Sequence, residues 1–134
     1  MKVLVFCIIA ISLAACVSNT KPAQNSMQVQ SHTWRTENFR NPGLNTGLLV
    51  ITRDTGMRGS SCIPMIAVNG EHVAPINVGE ELALHLTANT YSLKAIPNKN
   101  CAASMIETVI EITEDKKVNL RLGFVDRSML FTGS

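Results

Sequence analysis

Three of the four cysteines of this chain, Cys16, Cys62 and Cys101, stand in two different kinds of surroundings that bear on their chemistry. Cys16 follows directly on an apolar stretch that ends in small residues, whereas Cys62 and Cys101 lie beside Ser or Asn in polar segments. A cysteine can carry a lipid, pair with a second thiol or bind a metal ion. The flanking residues indicate which of these outcomes applies to each cysteine.

The residues before Cys16 have the three parts of an export signal. Lys2 supplies the positive start, Val3 to Leu13 form an apolar run, and Ala14 and Ala15 are small. This run is shorter than the roughly 20 apolar residues that a transmembrane helix needs. Residues 1–15 are therefore predicted to be a cleaved signal peptide rather than a membrane anchor.

The four residues Leu13, Ala14, Ala15 and Cys16 resemble the lipobox of bacterial lipoproteins. That resemblance implies cleavage immediately before Cys16, a diacylglycerol on its thiol, and palmitate or a similar acyl chain. Two or more acyl chains hold a protein stably on a bilayer, where one holds it only marginally. The alternative is an ordinary cleaved signal that leaves Cys16 as a free or paired thiol.

The residue after the lipobox cysteine bears on the location of the protein. In the Gram-negative sorting rule that the lipoprotein resemblance implies, aspartate at this position retains a protein at the inner membrane. This chain has Val17 followed by Ser18. We therefore expect a lipid-anchored protein on the periplasmic face of the cell outer membrane, if its source has two membranes.

Cys62 and Cys101 are predicted to form a disulfide bond, because an exported chain reaches an oxidising compartment. Closing a loop of about 40 residues stabilises a fold by roughly 4 kcal/mol in the chain-entropy model. Two unpaired thiols are the alternative. A metal site is disfavoured because neither cysteine has a second ligand at short spacing, so no metal is expected.

No catalytic motif emerges from the remaining polar residues. His32, His72 and His85 lie in three separate segments, with no HExxH and no Cys-x-x-Cys, and Ser60 and Ser61 lack the GxSxG pattern. The glycines are too dispersed to cradle a phosphate. The sequence therefore predicts a protein that is not an enzyme, with no catalytic residues and no cofactor.

The charge balance argues against a nucleic-acid partner. The formal net charge of the whole chain is +2, and cleavage before Cys16 removes Lys2 and no acidic residue. Lys and Arg form neither a run nor a stripe, whereas nucleic acid requires a clustered basic face. We expect a membrane lipid anchor and an envelope protein or glycan as partners.

Residues 16–40 have the composition of a flexible tether. Ser, Asn, Gln, Thr and Lys dominate the segment, and such a chain buries too little apolar surface to fold by itself. A flexible coil of that length spans roughly 25 to 30 Å. Trp34 and Phe39 interrupt the polar composition, and they are interpreted either as aromatics that pack on the following domain or as a docking motif.

Residues 41–134 are predicted to form one domain made of strands. Apolar and polar residues alternate with period two in Leu82 to Leu86, Tyr91 to Ala95, Ile106 to Ile112 and Val118 to Phe124. With short runs on either side, this pattern predicts an all-β fold, a small antiparallel β-sandwich or open barrel of about seven strands after a disordered tether. The competing interpretation of Gly79 to Leu86 is a helical turn.

The alternation also predicts which side chains face the core. The expected core residues are Leu82, Leu84, Leu86, Leu93, Ile106, Ile110, Ile112, Val118, Leu120 and Leu122, and the expected exposed ones are Lys94, Glu107, Glu111, Asn119 and Arg121. Asn69-Gly70 predicts a type I′ hairpin between strands at about Met65 to Val68 and His72 to Ile76, because both positions of that turn need positive φ.

The order GLLVITRD, an apolar strand ending in NG, an acidic-hydrophobic strand and then LTANTYSLKA resembles the PEGA-like and DUF2846-like β-sandwich domains of bacterial lipoproteins. In those families a strand ends in a turn and a Tyr- or His-led strand follows, as Tyr91 does here. Asn89 stands where those families tend to place Pro-Gly. The resemblance implies a surface-attached binding or structural module.

Three functional hypotheses remain open at this point. The first is a non-catalytic lipoprotein domain that binds an envelope protein or glycan through loops or a sheet edge. The second is an inhibitor of an exogenous enzyme such as lysozyme, for which the loop from Arg58 to Pro64 is the candidate. The third is a subunit of an envelope secretion or conjugation complex.

Overall fold

The computed structural model describes residues 19–133 of the chain. The predictions for the signal peptide and for lipidation of Cys16 lie outside the described residues. Those for the disulfide, the domain and most of the tether lie within them.

Residues 19–133 form nine strands and a short 3-10 turn at Ser31–Thr33. The strands are β1 (Met27–Gln28), β2 (Thr46–Arg53), β3 (Met65–Val68), β4 (Glu71–Pro75), β5 (Glu80–Thr87), β6 (Asn89–Ile96), β7 (Ile106–Ile112), β8 (Lys117–Val125) and β9 (Ser128–Gly133). They make a five-stranded sheet of order β1-β5-β2-β8-β9 and a four-stranded sheet of order β4-β3-β6-β7. The two packed sheets confirm the predicted all-β sandwich.

Side-chain parity places the core between the sheets as predicted. Leu82, Leu84, Leu86, Leu93, Ile110, Ile112 and Leu122 are buried, and Ile106, Val118 and Leu120 are partly buried against the same cluster. Of the polar set, Glu107 and Glu111 are exposed, whereas Lys94, Asn119 and Arg121 are half-buried. A one-residue slip would turn every apolar member of a strand to water, so this burial specifies the register.

The five-stranded sheet is mixed rather than wholly antiparallel. Strands β2 and β8 pair in parallel from Leu48 opposite Lys117 to Arg53 opposite Leu122. The reason lies in the short connection 113–116, which starts β8 at the same end of the molecule where β2 begins. The period-two pattern is the same for both directions, so the sequence did not distinguish them.

The Asn69-Gly70 hairpin has the predicted geometry. Asn69 has φ 47° and Gly70 has φ 82°, and Val68 pairs with Glu71 across the turn. Positive φ at both central positions is the mark of a type I′ turn. The competing helical turn is wrong, because residues 80–87 are strand β5 and pair with β2 along their length.

Residues 19–40 pack on the domain, so the prediction of a flexible tether is wrong for this part of the segment. Strand β1 runs parallel to β5, and the N–H groups of Met27 and Val29 each donate at 3.0 Å to the carbonyls of Gly79 and Glu81. Val29 is buried, and Trp34 and Phe39 pack against the core, as the first of the two interpretations predicted. Composition averages over the segment and misses a few well-placed apolar residues.

Candidate functional site

The sandwich has two ends that differ in construction. We call the end formed by residues 54–64, 76–79, 97–105 and 126–127 the disulfide end. The opposite end, formed by residues 43–45, 69–70, 88 and 113–116, is called the turn end. The two long loops of the domain, 54–64 and 97–105, meet at the disulfide end and expose side chains of mixed chemistry, which makes it the candidate functional surface.

The predicted disulfide between Cys62 and Cys101 is confirmed. The α-carbons lie 4.5 Å apart, and the bond joins the β2–β3 loop to the β6–β7 loop across a sequence separation of 39 residues. Two further contacts join the same loops: the Ser61 hydroxyl donates to the Asn100 carbonyl at 3.4 Å, and the Ile63 N–H donates to the Asn98 side chain at 3.3 Å. These links hold two distant segments as one surface.

Arg53 stands fully buried behind these loops. Its Nη1 donates to the carbonyls of Cys62 at 3.0 Å and Ile76 at 3.3 Å, and its Nη2 donates to the carbonyl of Gly59 at 2.9 Å. The guanidinium carbon lies 4.8 Å from the centre of the Phe124 ring, in cation–π geometry. Burial lowers the pKa of the Arg53 guanidinium below its ordinary value. Arg53 therefore holds the β2–β3 loop from within.

The next residue, Asp54, ties the N-terminal segment to this end. Arg121 donates to both Asp54 carboxylate oxygens, at 3.0 and 2.8 Å, and these bonds raise the pKa of the Arg121 guanidinium. The Thr20 hydroxyl donates to the same carboxylate at 3.0 Å and accepts the Phe124 N–H at 2.8 Å. A β-carbon at Gly123 would lie 2.6 Å from Asp54 Oδ2, so glycine leaves room for this junction.

Sequence reasoning missed both of these buried charges. No role was assigned to Arg53 or Asp54 from the sequence. The available signal was parity, because Arg53 continues the inward-facing series of Leu49 and Ile51.

A cleft of about 230 Å³ opens between the loops of the disulfide end. Its lining includes Arg58, Arg127, Asn100, Asp126 and Phe124. Arg58 also donates to the carbonyl of Asp126 at 3.3 Å, which positions the guanidinium beside Arg127. Two guanidinium groups and an amide favour an anionic or strongly polar group over an apolar ligand.

The surface around this cleft combines positive charge with exposed apolar side chains. Lys21, Arg58, Lys99 and Arg127 lie at or beside the disulfide end, together with the exposed Asp126 and the half-buried Glu80 and Glu81 at the start of β5. Four of its apolar side chains are exposed, namely Met57 (90%), Met105 (50%), Val125 (40%) and Ile63 (37%). A surface that exposes both basic and apolar side chains is typical of one that contacts a membrane or a binding partner.

The histidines do not form a site with acidic groups in the described part of the chain. His32 and His72 are exposed on separate elements, and His85 lines a shallow cleft at the turn end with Asp115 and Lys116. Among residues 19–133 no histidine is ion-paired to a carboxylate, and no group of three or more His, Cys, Asp or Glu side chains is placed to hold a metal ion.

The loop from Arg58 to Pro64, which the inhibitor hypothesis singled out, is held in place rather than free. The disulfide, Arg53 and the Asn98 side chain all fix its backbone, while Ser60 and Ser61 remain exposed.

None of the helical structure in residues 19–133 is long and apolar enough to cross a membrane.

Comparison of the chain with protein-family models, with curated protein sequences and with solved structures found no match.

Proposed function

We propose that this protein is a lipid-anchored, non-catalytic module of the cell envelope, acylated at Cys16 and held on the periplasmic face of the outer membrane. The observation that carries the proposal is the stretch Leu13-Ala14-Ala15-Cys16 at the end of an apolar export signal. The Cys62–Cys101 disulfide supports it, because such bonds persist in oxidising compartments.

The arrangement of ionisable groups supports a binding role rather than catalysis. The buried charges, Arg53 and Asp54, are engaged with backbone carbonyls and with Arg121 and Thr20, so their partners are structural. Catalytic groups need instead to converge on an accessible cavity with shifted pKa values. The domain offers exposed, firmly held loops, which favours recognition of an envelope protein or glycan.

Replacement of Cys16 by Ala tests the anchoring half of this proposal. The Cys16→Ala variant is expected to incorporate no labelled palmitate and to accumulate as an uncleaved precursor. It should no longer be recovered with the lipid-anchored proteins of the membrane fraction. Cys7→Ala, which lies within the apolar run, is the matched control and should be acylated normally. Palmitate incorporation by Cys16→Ala at the level of the unaltered protein would contradict the proposal.

Capture of cross-linked partners from solubilised envelope tests the binding half. A resident envelope protein or glycan that is recovered with the protein supports a binding module or a subunit of a larger envelope complex. The firmly held loop with exposed Ser60 and Ser61 keeps an enzyme inhibitor as the second candidate, since pre-ordered loops lose little entropy on binding. Turnover of peptidoglycan, ester or peptide substrates would contradict the non-catalytic assignment.

A further inference from the structure

The chain leaves the domain at the disulfide end, close to the proposed lipidation site. Thr20 is tied to Asp54 and Phe124, and the next residue forms a bridge in which the Lys21 N–H donates to the Thr55 carbonyl at 2.9 Å and the Thr55 N–H donates back at 2.8 Å. A β-carbon at Gly56 would lie 3.5 Å from the Thr20 α-carbon. The N-terminal segment is thus attached beside the β2–β3 loop.

The distance from this attachment to Cys16 is limited by covalent geometry. Thr20 follows Cys16 by four positions in the sequence, and even a fully extended chain of that length reaches at most about 14 Å. The headgroup layer on each side of a bilayer is about 5 to 8 Å thick. If Cys16 carries a diacylglycerol, the disulfide end must therefore lie within about one headgroup layer of the membrane surface.

The turn end is far from this attachment. Strand β8 alone has nine residues, and at about 3.4 Å per residue it separates the two ends by roughly 30 Å. The anchor therefore lies near only one end of the sandwich, because no long flexible tether separates Cys16 from Thr20.

The side chains of the disulfide end match a phospholipid surface. Lys21, Lys99 and Arg127 are exposed there and Arg58 is half-buried, and each basic residue near an anionic leaflet favours association. Met57 is 90% exposed on the loop next to Thr20. By contrast, Glu114 and Asp115 at the turn end are balanced by Lys116 and Lys117.

We propose that the acylated protein stands on the bilayer with its disulfide end against the membrane surface, where Lys21, Arg58, Lys99 and Arg127 contact anionic lipid headgroups and Met57 enters the interface. This orientation rests on the proposed acylation of Cys16. It places the turn end and the outer strand edges away from the bilayer, where a partner in the periplasm meets them.

Two matched tryptophan variants test the orientation. Met57 and Leu44 are each 90% exposed, at the disulfide end and the turn end respectively. The full-length acylated protein carrying Met57→Trp or Leu44→Trp is reconstituted in vesicles of phosphatidylglycerol and phosphatidylcholine that contain brominated lipid. Emission of Met57→Trp, after subtraction of the Trp34 signal from the unaltered protein, should be quenched strongly, while that of Leu44→Trp should keep its intensity.

A charge series tests the headgroup contact. Lys99→Gln should shift the balance between docked and undocked protein by roughly fivefold toward the undocked state, the effect of one basic residue near an anionic surface. Lys116→Gln, at the turn end, should leave the Met57→Trp quenching unchanged. Vesicles of phosphatidylcholine alone carry no anionic headgroup, so a loss of docking is expected on them as well.

The outcomes separate this inference from the proposed function. Mass measurement first shows whether Cys16 is acylated. The absence of an acyl group overturns the anchoring and this orientation together. If Cys16 is acylated, equal or reversed quenching of the two variants overturns the orientation alone. Quenching that favours Met57→Trp but is indifferent to phosphatidylglycerol and to Lys99→Gln overturns the contact with anionic headgroups.

Discussion

At the turn end the chain reverses direction within a few residues, whereas at the disulfide end two of the connections are long and their shape depends on partners far away in sequence. Positive φ occurs at both ends, at Asn45, Asn69, Gly70 and Asp115 of the turn end and at Gly56, Gly59, Gly79 and Asp126 of the disulfide end. The disulfide end relies in addition on a covalent bond and on the hydrogen bonds of Arg53. One end is therefore specified locally, and the other only when the whole domain is assembled.

This difference fits a division of roles. Short turns stabilise the ends of strands at little entropic cost, while long loops supply a surface with varied side chains. In the proposed orientation the disulfide end is the membrane-facing surface, and its cross-links keep the basic and apolar side chains in fixed positions.

Removal of the disulfide should have the largest effect on stability. The double variant Cys62→Ala/Cys101→Ala is expected to lose about 4 kcal/mol of unfolding free energy, because the bond closes a long loop in the unfolded chain. Urea unfolding followed by circular dichroism measures the loss. Addition of reductant should bring the unaltered protein to the same midpoint, and a midpoint that does not move in either experiment would contradict the role given to this bond.

Replacement of the buried arginine should come next. Arg53→Met removes the donor to the carbonyls of Cys62 and Ile76, and buried carbonyls that lose their partner cost about 3 kcal/mol together. Arg127→Met, on the exposed surface of the same end, should stay within about 0.5 kcal/mol of the unaltered protein. Equal unfolding midpoints for the two variants would show that Arg53 does not hold the loops.

A pair of glycine variants compares the two ends directly. Gly59 and Gly70 both have positive φ, 66° and 82°, but a β-carbon at Gly59 would lie 2.7 Å from the Phe124 ring, and one at Gly70 would meet nothing within 4 Å. Gly70→Ala should cost about 1 kcal/mol through its backbone alone. Gly59→Ala should cost about 2 kcal/mol more because the ring must move. Similar losses of stability for Gly59→Ala and Gly70→Ala in thermal unfolding would contradict the distinction between the two ends.

The parts of the fold that the sequence predicted are those set by neighbours along the chain. Alternation over Leu82 to Leu86 predicted strand β5 and its buried face, and Asn69-Gly70 predicted a hairpin because few dipeptides accept its backbone angles. The pairing of Cys62 with Cys101 was predicted from their number and from the export signal. Each of these rests on a rule of short range or on simple counting.

The parts that the sequence did not predict depend on tertiary contacts. Three features depend on contacts between residues far apart in sequence: the parallel pairing of β2 with β8, the docking of Val29 and the burial of Arg53. Such contacts leave no periodic pattern along the chain. Thr20 shows this most clearly, since its hydroxyl bonds to Phe124 across 104 residues. As a result, the candidate surface was located by the structure, and only its disulfide and its exposed loop were expected beforehand.

Hydrogen exchange of the acylated protein on vesicles tests the central claim, that the disulfide end is the membrane-facing end. Amide exchange is compared between vesicles with and without phosphatidylglycerol, followed by peptide mass analysis. We expect slower exchange in residues 54–64, 97–105 and 126–127 on the anionic vesicles, with exchange at 43–45, 69–70 and 113–116 unchanged. Protection at the turn end would contradict the central claim, and no difference anywhere between the two kinds of vesicle would contradict the contact with anionic headgroups.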